Sequence, residues 1–171
     1  KKKWEDVFNN DEKIKLSPSH LSVCVSSLQN VKLFNSNLEV IDDAFEYLVN
    51  KSSKGEKGQY FTPRYVIVMC VKMLNPKKDE SMIDTASGSC GFPIHTCFYV
   101  WRSIYKERDI EASHLFTAQE KISECQDYVK EKVFGIDFDE KSVRVSKMLN
   151  LIAGDGHTNV LYLNSIDFDR W

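Results

Sequence analysis

Apolar residues recur along this chain with two different periods, first every three to four positions and later in short runs. In "HLSVCVSSLQN", Leu21, Cys24, Val25 and Leu28 fall on one face and predict a helix. "NLEVIDDAFEYLVNK" repeats the period with Leu38, Ile41, Phe45, Leu48 and Val49, and Asn37 is placed to cap it. The polar, glycine-containing "KSSKGEKGQ" predicts a loop. After Pro63, "RYVIVMCVKML" predicts a third helix that "NPKKDE" ends.

The pattern then changes. "SMIDTAS" reads as a short apolar strand entering a turn of small residues. "GFPIHTCFYVWRSIYKERD" spaces Ile94, Cys97, Phe98, Trp101, Ile104 and Tyr105 helically, with Pro93 in the first turn, where it is tolerated. "HLFTAQEKISECQDYVKEK" predicts a helix, or a loop and a helix. "VFGIDFD" and "NVLYLNSID" predict strands on either side of the helix "EKSVRVSKMLNLIAG", whose apolar face is Val145, Met148, Leu149 and Ile152. Strands alternating with helices predict a parallel α/β sheet. The division expected is a helical segment over residues 1–50 and an α/β unit over residues 51–171.

Composition narrows the function classes. The chain has 171 residues, 42% hydrophobic and 28% charged, enough for one core in an ordinary globular protein. No apolar run approaches a membrane span and the start lacks the core of a signal peptide, so the cytoplasm is the expected compartment. Five cysteines without a C-x-x-C pair argue against a disulfide framework or zinc cage, and four scattered histidines show no metal-ligand spacing. A net charge of −2 gives no basic stripe for nucleic acid, so a DNA contact would need a partner or further chain.

Candidate chemistry gathers at the predicted strand ends, where open parallel sheets bind ligands. In "DTASGSCGF", Gly88 and Gly91 would let backbone amides approach a ligand, with a helix N-terminus behind. Asp137 closes "FGID", where a carboxylate can take both hydroxyls of a ribose. Asn164 in "YLNSID" could pair with an adenine edge. A dinucleotide fold would also place glycines and a carboxylate here, but the details disfavour it. The loop is G-S-C-G, and Asp137 follows Gly91 by 137 − 91 = 46 positions, against roughly 20 in the dinucleotide fingerprint.

"KGQYFTPRYVI", "DTASGSCGF", "FGIDFDEKSVRVSKMLNLIAG" and "NVLYLNSID", with "DAFEYL" upstream, together resemble the adenine-N6 DNA methyltransferases. The likeness is greatest to the modification subunits of type I restriction-modification enzymes and runs from about Asn37 to Asp167. It implies a Rossmann-like S-adenosylmethionine-dependent methyltransferase fold, truncated and preceded by a helical segment. It implies a methionine end covered by Gln59, Tyr60, Phe61, Thr62 and Pro63, with Thr62 at the carboxylate. Asp84 would face the amino group, and the backbone of Ser87, Gly88, Ser89 and Gly91 would line its path. Asp137 would hold the ribose, Phe138 would pack on the adenine, and Asn164 would meet its amino group. The implied partners are DNA and the specificity and restriction subunits of a type I complex.

Three departures from the family pattern carry expectations of their own. Thr85 and Cys90 replace a proline and a glycine of the loop, and a Cβ at Cys90 is strained if that position needs positive φ. Asn164 stands for an aspartate and lacks its charge. The catalytic Asn/Asp-Pro-Pro-Tyr/Phe tetrapeptide is missing, since the four prolines are nowhere adjacent. The expectation is therefore a front fragment that does not methylate alone, with an unpaired strand at the sheet edge inviting self-association. Two other readings stay open: the same fold acting on RNA or protein, and a noncatalytic binding module that keeps a degenerate cofactor loop.

Overall fold

The computed structural model describes residues 8, 11–30, 62–111, 113, 115, 121–153, 159–167 and 169. The predicted helix over residues 37–51, the loop after it, and Gln59, Tyr60 and Phe61 lie outside these. Helix α1, Pro18–Leu28, begins where Ser17 accepts the His20 N–H at 3.4 Å and Pro18 fills the first turn. Its expected face buries nothing among the described residues: Leu21 is half-buried and Cys24, Val25 and Leu28 are exposed. The segment before it meets the α/β unit through an ion pair of Glu12 with Arg144 at 2.8 Å.

Helix α2, Arg64–Leu74, follows Pro63 as predicted. It stops because Asn75 turns left-handed at φ 52°, a conformation asparagine tolerates, and Pro76 follows. Strand β1, Met82–Asp84, leads through the small-residue turn into helix α3, Gly91–Glu107. All six residues predicted for the buried face of α3 are buried. Trp101 is the centre of the core, with no exposed surface and its indole N–H donated to the Cys125 carbonyl at 3.0 Å. Phe98, Trp101 and Tyr105 are thus core residues and Tyr99 lies at the rim, its hydroxyl bonded to Asn75 at 2.9 Å.

Helix α4, Ser123–Lys132, runs directly into strand β2, Val133–Asp137. Helix α5, Glu140–Ala153, returns the chain to strand β3, Val160–Tyr162. The strands pair in parallel in the order β1-β2-β3, with Asp84 opposite Gly135 and Asp137 opposite Tyr162. The predicted parallel α/β unit is therefore present, with α3 packed on β1 and β2 and α5 on β2 and β3. On the other face Ile83 and Leu161 remain about half exposed, and β1 is an edge strand among the described residues.

The buried face of α5 differs from the one its hydrophobic period predicts. Leu149 is buried, but Val145 and Met148 are only half-buried, and the side chain of Ile152 lies outside the described set. The deepest positions are Ser142, Val143, Ser146, Leu149, Asn150 and Ala153. Three of these are polar: Ser142 bonds Asp139 at the start of the helix, and Ser146 and Asn150 face the β1–α3 loop.

Candidate functional site

The β1–α3 loop is seated on β2 by its backbone. The Ser87 N–H donates to the Ile136 carbonyl at 2.9 Å and the Cys90 N–H to the Ser87 carbonyl at 2.7 Å. Gly135 makes the close approach possible: a Cβ there would lie 3.2 Å from the Cys90 sulfur and 3.2 Å from the Ser87 Cβ. Cys90 caps α3 in the left-handed region at φ 62°, the strained position foreseen for it. Its side chain has no exposed surface and is turned inward. Burial, the largest cause, pushes its thiol up to about 11 against the opposing pull of Ser146, Ser87 and Asn150. It is a packed, inert thiol, and it does not crowd the outer side of the loop.

That outer side is open at Gly88, which sits at φ 52° with nothing within 4 Å of where a Cβ would stand. Gly91 behaves differently. Its bare Cα faces Ile67 of α2, whose Cδ1 would come within 2.6 Å of a Cβ, so this glycine permits the packing of α2 on α3. Thr62 and Pro63 are exposed beside this contact, since the Ile67 N–H bonds back to the Pro63 carbonyl at 3.2 Å. The start of α2 therefore lies within about one helical turn of the loop.

Two carboxylates close the strands. Asp84 accepts the Ala86 N–H at 3.1 Å within its own turn. Burial chiefly raises its pKa above the ordinary aspartate value; the Ala86 N–H lowers it and the neighbouring Asp137 raises it further. Asp137 accepts the Gly88 N–H on Oδ2 and the Asp139 N–H on Oδ1, each at 2.8 Å. A carboxylate has about four acceptor positions, so each oxygen keeps one for a hydroxyl donor. Ser87 is buried beside the loop's core side and Ser89 half-buried.

Beyond Asp137 the surface becomes aromatic. Phe138 is 70% exposed and Tyr162, at the end of the neighbouring strand, is 58% exposed, large values for residues of this size. Their ring centres are 6.4 Å apart with planes inclined by 33°. Asn164 is exposed and turned partly to its own loop, its Oδ1 accepting the Ile166 N–H at 3.2 Å.

The fold thus gathers Asp84, Ser87, Gly88, Asp137 and Phe138 at the carboxyl ends of β1 and β2, with Thr62, Pro63 and Asn164 exposed on flanking segments. Tyr162 and Ser146 join the site without having been expected there from the sequence. Tyr162 was hidden inside an apolar strand, and its register opposite Asp137 is visible only in the structure. Ser146 donates from α5 to the Gly88 carbonyl at 2.7 Å; a serine in a helix carried no signal. Among the described residues no group of three or more His, Cys, Asp or Glu side chains could hold a metal ion, and no helix is long and apolar enough to cross a membrane.

Comparison with known proteins bears on the family and the fold. The sequence model of the N-6 DNA Methylase family matches residues 36–165. The type I restriction enzyme StySPI methylase subunit of Salmonella potsdam is 33% identical over 107 residues, 58% of this chain and 20% of the relative. The EcoKI methylase subunit of Escherichia coli K12 is 31% identical over the same extent. The crystal structure of a modification subunit assigned to a type I restriction enzyme of Vibrio vulnificus YJ016 superposes with a TM-score of 0.54 at 22% identity, over 76% of this chain and 25% of that one. The last likeness concerns the fold. The chain spans about one fifth of the length of the curated relatives it matches.

Proposed function

This chain belongs to the N-6 DNA methylase family, and on that premise we propose that it is the front part of an adenine-N6 DNA methyltransferase, the modification subunit of a type I restriction-modification enzyme. Residues 51–171 form the first part of its S-adenosylmethionine-binding domain, behind a helical segment over residues 1–50. The whole protein transfers a methyl group to the amino nitrogen of adenine in DNA, in a complex with specificity and restriction subunits. The sequence has no adjacent prolines and so no Asn/Asp-Pro-Pro-Tyr/Phe motif; the groups that hold the target base come from the rest of that protein, and this chain alone is inactive.

The observation that carries the reading is the joining of two strand ends by the Gly88–Asp137 hydrogen bond. It sets an open glycine beside a carboxylate with acceptor capacity to spare, next to an exposed aromatic pair. These groups fit S-adenosylmethionine. Asp137 takes the ribose hydroxyls, Phe138 and Tyr162 flank the adenine, and Asn164 meets its edge. Asp84 faces the ammonium group, Ser87, Gly88, Ser89 and Gly91 line the path, and Gln59, Tyr60, Phe61, Thr62 and Pro63 cover the methionine end. When bound, the cofactor supplies an electrophilic methyl group on a sulfonium.

The noncatalytic reading draws on Cys90 and Asn164; of these, the Cys90 thiol is buried and turned away from the open side of the loop. Ligand-observed NMR tests the choice of cofactor. Saturation transfer to S-adenosylmethionine, displaced by S-adenosylhomocysteine but not by NAD, is the result expected. Equal competition by NAD would overturn it.

A further inference from the structure

Gly88 is held on both sides of its Cα. The peptide before it donates its N–H to Asp137 Oδ2 at 2.8 Å, and the peptide after it accepts the Ser146 hydroxyl at 2.7 Å. Fixing both flanking peptides fixes φ and ψ, which matters at glycine because it otherwise visits several regions with little preference. Ser146 has no exposed surface, so its hydroxyl has no water to trade for this carbonyl. The second oxygen of Asp137 is held from the same helix. The Asp139 N–H reaches Oδ1 at 2.8 Å, and Asp139 is in turn fixed by the N–H and hydroxyl of Ser142, both at 2.9 Å from its Oδ2. Helix α5 thus anchors, through Ser146 and Ser142, the two residues whose N–H groups hold the carboxylate at the mouth of the site.

We infer that Ser146 is a positioning residue for ligand binding: it holds Gly88 in the left-handed conformation whose N–H reaches Asp137, and so keeps the remaining acceptor positions of that carboxylate turned toward a ribose diol. The inference rests on the cofactor reading above. Without the hydroxyl, Gly88 relaxes to other conformations, its N–H leaves Oδ2, and Asp137 is fixed by Asp139 alone. The fold loses one buried hydrogen bond, while the ligand loses a carboxylate set in advance.

The test is a mutant cycle read by calorimetry with S-adenosylmethionine, using wild type, Ser146→Ala, Asp137→Asn and the double variant. Val129→Ala, in the core away from the loop, is the control for lost stability. Ser146→Ala is expected to weaken binding roughly tenfold, the scale of one buried hydrogen bond, and to add no loss in the Asp137→Asn background. Val129→Ala is expected to melt at lower temperature with unchanged affinity. The Gly88 amide proton, shifted downfield by its carboxylate partner in the wild type, is expected to move upfield in Ser146→Ala without any ligand. Unchanged affinity in Ser146→Ala, full additivity with Asp137→Asn, an equal loss in Val129→Ala, or an unmoved Gly88 resonance each overturns the inference. Failure of the wild type to bind overturns the cofactor reading itself, and the Gly88 resonance separates that failure from a failure of the clamp.

Discussion

The backbone N–H of Gly88 and Oδ2 of Asp137 are 2.8 Å apart across 49 positions of sequence, tying the loop after β1 to the end of β2. A hydrogen bond to an ionised group contributes about 1.5–3 kcal/mol, more than a neutral one. The bond therefore shapes the loop before any ligand arrives, so Asp137 supports the loop independently of the ligand role proposed for it.

Asp84 gives the unliganded chain a pH dependence of known sign. Its pKa is raised in the folded state, chiefly by burial, so the stability linked to its proton is present in acid and lost as pH rises through that value. Asp84→Asn should then raise the urea midpoint at pH 7, and the gain should shrink as pH falls below about 4, where aspartate is protonated even when unfolded. Urea titrations across this range check it. A gain independent of pH, or a destabilised variant at pH 7, would contradict it.

Cys90 combines strain with packing. Its left-handed backbone at φ 62° costs a residue with a Cβ about 1–2 kcal/mol. Cys90→Gly should thus stay within about 1 kcal/mol of wild type, as relief of strain offsets lost contacts. Cys90→Ala keeps the strain, loses the sulfur and should be less stable than either. The thiol, pushed up to about 11 and fully buried, should resist a disulfide reagent at pH 8 while exposed Cys24 reacts. Chemical denaturation and mass-resolved labelling check both statements.

The aromatic pair offers a test free of folding effects, because Phe138 and Tyr162 are exposed. Stacking of a base on an aromatic ring is worth about 1–3 kcal/mol. Phe138→Ala and Tyr162→Ala should each weaken S-adenosylmethionine binding by about tenfold, with melting temperatures near wild type. Tyr162→Phe should retain affinity. An unaffected Tyr162→Ala would remove that ring from the site.

How much of this the sequence disclosed depends on which kind of signal each feature leaves. The core face of α3 was legible because its six apolar residues keep one helical period and all point to one interior. The strands were legible as short apolar runs, and Asp84, Gly88 and Asp137 as breaks at their ends. The buried face of α5 was misjudged because Ser146 and Asn150 are polar, and hydrophobic periodicity is blind to a helix face that hydrogen-bonds a loop. Gly91 was read for ligand approach by its backbone; that its missing Cβ also makes room for Ile67, 24 positions away, is encoded in no local pattern. For Cys90, departure from the glycine of the family loop marked the position correctly, whereas the inward turn of its thiol required the structure.

The proposed site turns on Asp137 holding the ribose of S-adenosylmethionine. Calorimetric titration of this chain with S-adenosylmethionine, wild type against Asp137→Ala, tests it most directly. The wild type is expected to bind and the variant to lose affinity by at least about a hundredfold, as two hydrogen bonds to a charged group disappear. Equal affinity of the two proteins for S-adenosylmethionine would contradict it.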